Sequence, residues 1–160
     1  MAVQRTNVMR ILDQKKISYQ TFSYPHGDVA IDGMTVAILI EKPVEQVFKT
    51  LVAVGASKQN YVFVIPVSRE LDLKKAAKAV GEKSISMLPV SNLLTLTGYV
   101  RGGCSPIGMK KQLPTYIHDS GNLPETIVVS AGKIGLQVEL SPYDLMKLIN
   151  GKTADVVIEG

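Results

Sequence analysis

The sequence predicts an α+β fold, a single domain spanning residues 1–160 with a mixed or barrel-like sheet and peripheral helices. Three observations lead there. Apolar segments of strand length cluster in runs, and helical patterns do not alternate with them regularly, which disfavours a doubly wound nucleotide-binding fold. The 160 residues, 46% of them hydrophobic, suit one domain with a sizeable core. No linker-like stretch, internal repeat or low-complexity tract divides the chain.

The elements follow in order. Thr6 or Asn7 caps a first helix whose Val8, Ile11 and Leu12 share a face and which ends near Lys16. Alternation from Ile17 to Tyr24 predicts a strand, broken by Pro25-His26-Gly27-Asp28. A short helix is expected over Met34 to Ile40. Another is expected after Pro43, with Val44, Val47, Phe48 and Leu51 as its apolar stripe. Leu51 to Val54 and Tyr61 to Pro66 read as buried strands around a turn. Glu70 to Val80 reads as a helix that Gly81 stops in a left-handed conformation. Short strands are expected at Ile85 to Leu88, Tyr99 to Arg101, Thr115 to His118, Thr126 to Val129 and Leu136 to Leu140. Ser141-Pro142-Tyr143-Asp144 supplies a cap, a proline at the first position and an acid in the first turn of a last helix. Gly151 ends that helix and Ala154 to Ile158 forms a final strand.

Composition narrows the functional classes. A net charge of +4 favours a polyanionic partner, while the absence of Trp favours phosphate contact over base stacking. No apolar run approaches the ~20 residues that cross a bilayer, and residues 1–10 do not resemble a signal peptide. One cysteine cannot form an internal disulfide, so the expected location is cytoplasmic. Walker, GxGxxG, HExxH and GxSxG signatures are missing, and two histidines with one cysteine are too few for a typical structural zinc site. Neither a metal nor a cofactor is expected.

Two glycine-containing stretches stand out. Gly98-Tyr-Val-Arg-Gly-Gly-Cys-Ser-Pro-Ile-Gly108, followed by Lys110 and Lys111, either brings backbone N–H groups close to an anion or carbonyl oxygen or simply connects two strands. Ser130-Ala131-Gly132-Lys133-Ile134-Gly135 is either a binding loop at strand ends or a hairpin turn. Lys49, among Val47, Phe48 and Leu51, points inward to an oxygen ligand or snorkels to solvent. Tyr24 offers a site hydroxyl or a half-buried strand aromatic. Lys74, Lys75 and Lys78 make a solvated helix face or a phosphate stripe. Cys104 lacks an evident partner base and reads as a small buried residue rather than a nucleophile.

Taken in order, Tyr24, Phe48-Lys49-Thr50-Leu51, Glu70 to Ala76, Thr97-Gly98-Tyr99, Gly102 to Gly108, Ser130 to Lys133 and Gly135 to Leu140 resemble the YbaK/EbsC family. The resemblance runs from about Asn7 to Asp155 and rests on joint order and spacing rather than on any one motif. It implies the mixed, barrel-like fold of that family and the hydrolysis of misacylated tRNA, cysteinyl-tRNA(Pro) in the branch most similar to this chain and alanyl-tRNA in a sister branch. The implied partners are aminoacyl-tRNA(Pro) and prolyl-tRNA synthetase. On this resemblance Lys49 and Tyr24 are the catalytic residues. Substrate is held by Thr50, by Gly98, Gly102, Gly103, Ser105, Pro106 and Gly108 of the first loop, and by Ser130, Gly132 and Gln137. Two positions depart from the branch's pattern: Gln137 replaces a site aspartate and Ala131 replaces a glycine. An amide keeps hydrogen bonding but loses the charge and the base. The implied mechanism uses the substrate's own thiol as nucleophile, so it needs none from the protein. A domain that binds tRNA ends or a synthetase without turnover is the reading from another class.

Overall fold

The computed structural model describes residues 5–159. Helix α1 (Asn7–Gln14) starts where Thr6 Oγ1 accepts from Met9 N at 3.3 Å and buries Val8, Met9 and Leu12. Strand β1 (Gln20–Ser23), helix α2 (Gly33–Leu39), the hairpin of β2 (Phe48–Gly55) and β3 (Asn60–Pro66), helix α3 (Leu73–Val80) and β4 (Ile85–Met87) follow. A 3₁₀ turn (Val90–Asn92) leads into the short helix α4 (Leu93–Thr97). Then come β5 (Thr115–His118), β6 (Ile127–Ser130), β7 (Leu136–Leu140), α5 (Pro142–Ile149) and β8 (Lys152–Ala154).

The strands form two sheets, ordered β1-β7-β6 and β4-β2-β3-β5-β8. The larger sheet is mixed: β2 pairs antiparallel with β3 and β4, whereas β3–β5 and β5–β8 are parallel. The expected barrel is not what the described strands build. They make two open sheets that touch at one parallel bridge, Val47 to Val128. Leu136, Val138 and Leu140 of β7 face the main core with Ile127 and Val129 of β6. Gln137 and Glu139, alternating with them, face the other way, on the side where Val128 of β6 packs with Val36 and Ala37 of α2.

Several sequence expectations shift. The helix expected after Pro43 is a turn closed by Gln46 N donating to Pro43 O at 2.9 Å, and Phe48 to Leu51 are already strand. The reason is pairing: Phe48 to Val54 zip against β3, which overrides a weak helical spacing of β-branched and aromatic residues. Tyr99 to Arg101 is not a strand but the approach to a turn closed by Gly103 N on Val100 O. Helix α3 begins at Leu73 because Asp72 caps it, its side chain accepting from Lys74 N and Lys75 N. The last strand ends at Ala154, and Val157 instead bridges Leu71. Lys75 is not part of a free basic stripe, since its ammonium holds Asp155 at 3.3 Å and the Val157 carbonyl at 2.9 Å.

Two polar groups pin this architecture. At the sheet junction Val128 N donates to Gln46 O at 2.9 Å, and the Gln46 amide donates to Thr126 Oγ1 (2.7 Å) and Glu139 Oε2 (2.8 Å). Thr126 also donates to Glu139 Oε2 at 2.6 Å, and Lys42 Nζ lies 3.0 Å from Glu139 Oε1. Burial disfavours the Glu139 carboxylate, but the bonds from Thr126, Lys42 and Gln46 outweigh it and hold the carboxyl below its usual range. At the other end His118 Nδ1 accepts from Val156 N at 3.2 Å, tying the C-terminal segment to β5. Burial pushes His118 below its ordinary value, with Asp155 opposing.

Replacing Glu139 with Ala strands a half-buried ammonium and two polar side chains, and should cost about 2 kcal/mol in urea unfolding at pH 7. Because the Glu139 carboxyl is depressed, its contribution is present above the unfolded carboxylate pKa and is lost as pH falls through the folded value. His118 is depressed too, so the stability it contributes is complete above 6.5 and erodes as pH falls through its folded value. His118→Asn should flatten that part of the curve of melting temperature against pH; an unchanged slope in the variant would remove His118 from the account.

Candidate active site

Between the two sheets lies a cavity of about 920 Å³, within the range of small-molecule sites. Its walls bring together Tyr24, Lys49, Thr50, Gly102, Ser130 and Gln137 from five separate stretches of the chain. Tyr24 is buried just beyond β1, where its N–H donates to Gly135 O at 3.0 Å. The adjoining His26 ring lies where a Cβ on Gly135 would sit, and Gly135 has φ +94°, so only glycine lets this segment close over the turn. Gln137 on β7 pairs with Ser130 on β6, placing both on the cavity face of the small sheet. Ser130 Oγ accepts from Gly132 N at 3.1 Å, which orients the hydroxyl. Lys49 is half-buried on β2, and among the described residues no ion pair engages its ammonium. Beside it, Thr50 Oγ1 is buried without a hydrogen-bond partner. A buried hydroxyl left so costs roughly 1–3 kcal/mol, and a ligand in the cavity would recover it.

Six of the residues expected at the site do not line this cavity: Gly98, Gly103, Ser105, Pro106, Gly108 and Gly132. They shape the loop instead. Gly98 caps α4 in the left-handed region at φ 86°. Gly103 packs on the backbone of Lys133 and Ile134, joining the two glycine stretches. Ser105 is fully buried, its Oγ accepting from Ile107 N at 3.2 Å, and Pro106 is buried next to it. Gly108 and Gly132 make room for Tyr99, whose hydroxyl donates to Ile107 O at 2.5 Å. Burial, and then Cys104, push the Tyr99 hydroxyl up to about 12, so it remains a donor. The loop thus presents Val100, Arg101, Gly102 and Cys104 to the cavity and uses its other glycines, Ser105 and Pro106 for packing.

Other wall residues were not evident in the sequence. Asp28 and Asp32 line the cavity with Val36, Val47 and Val67. Asp32 is committed to capping α2, accepting from Thr35 N (3.0 Å) and Thr35 Oγ1 (2.7 Å), which lowers its pKa. The pattern Asp32-Gly33-Met34-Thr35 ahead of an apolar run carried that cap signal. Arg101 adds a second cation at the wall. Cys104 borders the cavity but is buried, and burial raises its thiol to about 12 against an opposing hydrogen bond with Thr97. At neutral pH it is a thiol, not a thiolate.

The fold and cavity define a class: an α+β domain whose two sheets enclose a cavity lined by a lysine, hydroxyls and an amide. The chain belongs to the aminoacyl-tRNA editing domain family, whose sequence profile matches residues 33–148. It is 44% identical over 153 residues to a candidate Cys-tRNA(Pro)/Cys-tRNA(Cys) deacylase, EbsC, of Enterococcus faecalis, covering 96% of this chain and 93% of that protein. The fold matches the crystal structure of a candidate trans-editing enzyme for prolyl-tRNA synthetase with TM-score 0.81 at 23% identity, covering 98% of this chain and 100% of that one. A scaffold used for computational epitope grafting matches with TM-score 0.82 at 24% identity, covering 96% of each chain. No helix among the described residues is long and apolar enough to cross a membrane.

The burial of Cys104 sets a reactivity expectation. At pH 7.5 its alkylation by iodoacetamide should run at least 100-fold slower in native protein than in urea, consistent with a thiol raised to about 12. Fast native labelling would show the thiol to be accessible and ionised.

Proposed function

We propose that this chain removes wrongly attached amino acids from tRNA in trans, with cysteinyl-tRNA(Pro) as its main substrate, acting in the cytoplasm beside prolyl-tRNA synthetase. One observation carries the reading: Lys49, Tyr24, Thr50, Ser130 and Gln137 converge on a single cavity, while the one cysteine of the chain is held protonated. Such a site positions and polarises an ester but supplies no sulfur nucleophile of its own. The substrate's thiol then attacks its own ester carbonyl: a C–S bond forms, the ester C–O bond breaks, and the thiol proton ends on the departing ribose oxygen. Water subsequently opens the released thiolactone to free cysteine. Holding thiol and carbonyl in near-attack geometry contributes up to roughly 7–11 kcal/mol toward the barrier. Lys49 is assigned to the oxygens of the terminal nucleotide and ester, where a cation offsets developing negative charge. Gly102 and Tyr24 are assigned to the same end of the substrate, and Ser130 and Gln137 to the aminoacyl group, because all four line the cavity with Lys49.

Position 137 is an uncharged amide where the resembled branch carries a carboxylate. Substrate recognition at this position therefore depends on hydrogen bonding rather than on charge.

Purified protein incubated with tRNA(Pro) charged in turn with cysteine, alanine and proline tests the assignment by single-turnover deacylation. Cysteinyl-tRNA should be cleared fastest. Equal rates for cysteine and alanine would remove the thiol from the mechanism, and binding without turnover of any substrate would leave a tRNA-binding module. Lys49→Ala should abolish deacylation with stability changed by no more than about 0.5 kcal/mol. Cys104→Ser should retain most activity. Gln137→Asp should raise the rate or shift the amino-acid preference; no change would place position 137 outside the site.

A further inference from the structure

Four consecutive residues of β2, Phe48 to Leu51, border one cavity. Side chains of a strand alternate between its two faces, so consecutive residues share a cavity only where it runs along the strand's edge. Backbone bonding identifies that edge. Val67 N donates to Val47 O at 2.8 Å, which makes Val47, Lys49 and Leu51 the residues that exchange bonds with β3. Phe48, Thr50 and Val52 direct their N–H and C=O groups the opposite way. At the far end Leu88 N takes Val52 O at 3.0 Å, and at the near end the Val47–Val128 bridge joins β6. That ladder has no second rung among the described residues: no bridge joins Lys49 to Ser130, although both line the same cavity. The cavity lies along this unpaired edge, to which the strand register directs the Phe48 carbonyl and the Thr50 amide, and Thr50, whose Oγ1 is unpartnered, is one of its wall residues.

Resting on the proposed deacylase reading, we infer that the aminoacyl group itself supplies the missing rung. A residue opposite Lys49 in a parallel ladder donates from its nitrogen to the Phe48 carbonyl and accepts at its carbonyl oxygen from the Thr50 N–H, as Val128 does one step earlier. An aminoacyl ester carries that same N–C–C=O unit. Its α-ammonium takes the Phe48 carbonyl and its ester carbonyl takes the Thr50 amide, which becomes a main-chain donor to the reacting oxygen. The edge reads atoms common to every aminoacyl group. Selection among amino acids then falls to the cavity walls around the side chain, and Thr50 is a positioning residue through its backbone as well as its hydroxyl.

Amide hydrogen exchange read by NMR on the full chain tests this. The probes are the non-hydrolysable 3′-(L-cysteinylamino)-3′-deoxyadenosine and its 3-mercaptopropionyl counterpart, which lacks the amino group. In the free protein the Thr50 amide should exchange at least 100-fold faster than that of Leu51, which is bonded to β3. Saturation with the cysteinyl probe should slow Thr50 at least tenfold and leave Leu51 unchanged. The counterpart should bind at least tenfold more weakly yet still protect Thr50. Thr50→Val should weaken the cysteinyl probe while the residue-50 amide is still protected on binding. A Thr50 amide already protected in the free protein overturns the inference. So does a probe that shifts Gln137 and Ser130 but leaves Thr50 exchange untouched, and that outcome spares the deacylase reading. Failure of both probes to bind, with tRNA deacylation also absent, overturns both.

Discussion

Glu139 is a carboxylate on a strand otherwise buried in apolar surroundings, and its demand for partners decides where the two sheets meet. A buried charge is tolerated only when its lone pairs are filled, and Lys42, Gln46 and Thr126 fill them. Gln46 is the hinge of the arrangement. Its side chain satisfies Glu139 while its backbone carbonyl takes Val128 N, so one residue joins both sheets. Lys42 also lies over the Phe22 ring, 5.3 Å from its centroid, which ties β1 to the same junction. With the sheets held at that point and left unbridged beyond it, the cavity has to open next to Lys49 and Thr50.

The opposite wall depends on close packing of small residues. Gly102 meets Ala30 and Ile134, Gly103 meets the backbone at Lys133, and Gly132 and Gly108 admit the Tyr99 ring. A side chain at any of these positions would push the loop away from its neighbour, and the Tyr99–Ile107 bond would lose its geometry. The loop is therefore built for shape first, with Val100, Arg101, Gly102 and Cys104 as its contribution to the cavity. The chemistry proposed for the site suits such a frame, since positioning an ester asks for a rigid wall more than for a titrating base.

Much of the order of elements was legible from residues alone. The caps at Thr6 and Ser141, the Gly81 stop, and the apolar runs of β3, β5, β6 and β7 carry local signals that tertiary contacts reinforce, whereas the Asp72 cap went unread. Where the reading missed, a longer-range contact outweighed the local pattern. Pro43 and the spacing of Val44, Val47 and Leu51 suggested a helix, but the residues after Pro43 form a turn and pairing with β3 draws Phe48 to Leu51 into a strand. Helix α4, five residues with no side-chain cap at its start, had too little local signal to be read. The candidate site divides in the same way: Tyr24, Lys49, Thr50, Gly102, Ser130 and Gln137 reach the cavity, while the remaining glycines, Ser105 and Pro106 serve the loop.

The sequence by itself determined the secondary-structure alphabet, the mixed α+β class and membership of an editing family, because caps, turn residues and apolar periodicity act over a few neighbours and motif order survives without coordinates. Only the tertiary structure decided that the sheets stay open, that Glu139 is a structural anchor rather than a site acid, and that Asp28, Asp32 and Arg101 share the cavity with Lys49. These depend on pairs distant in sequence, Gln46 with Thr126 and Glu139, and Val47 with Val128. No local pattern encodes such pairs. They follow from burying one charge and closing one bridge, after which the open edge of β2 has nowhere to face but the cavity.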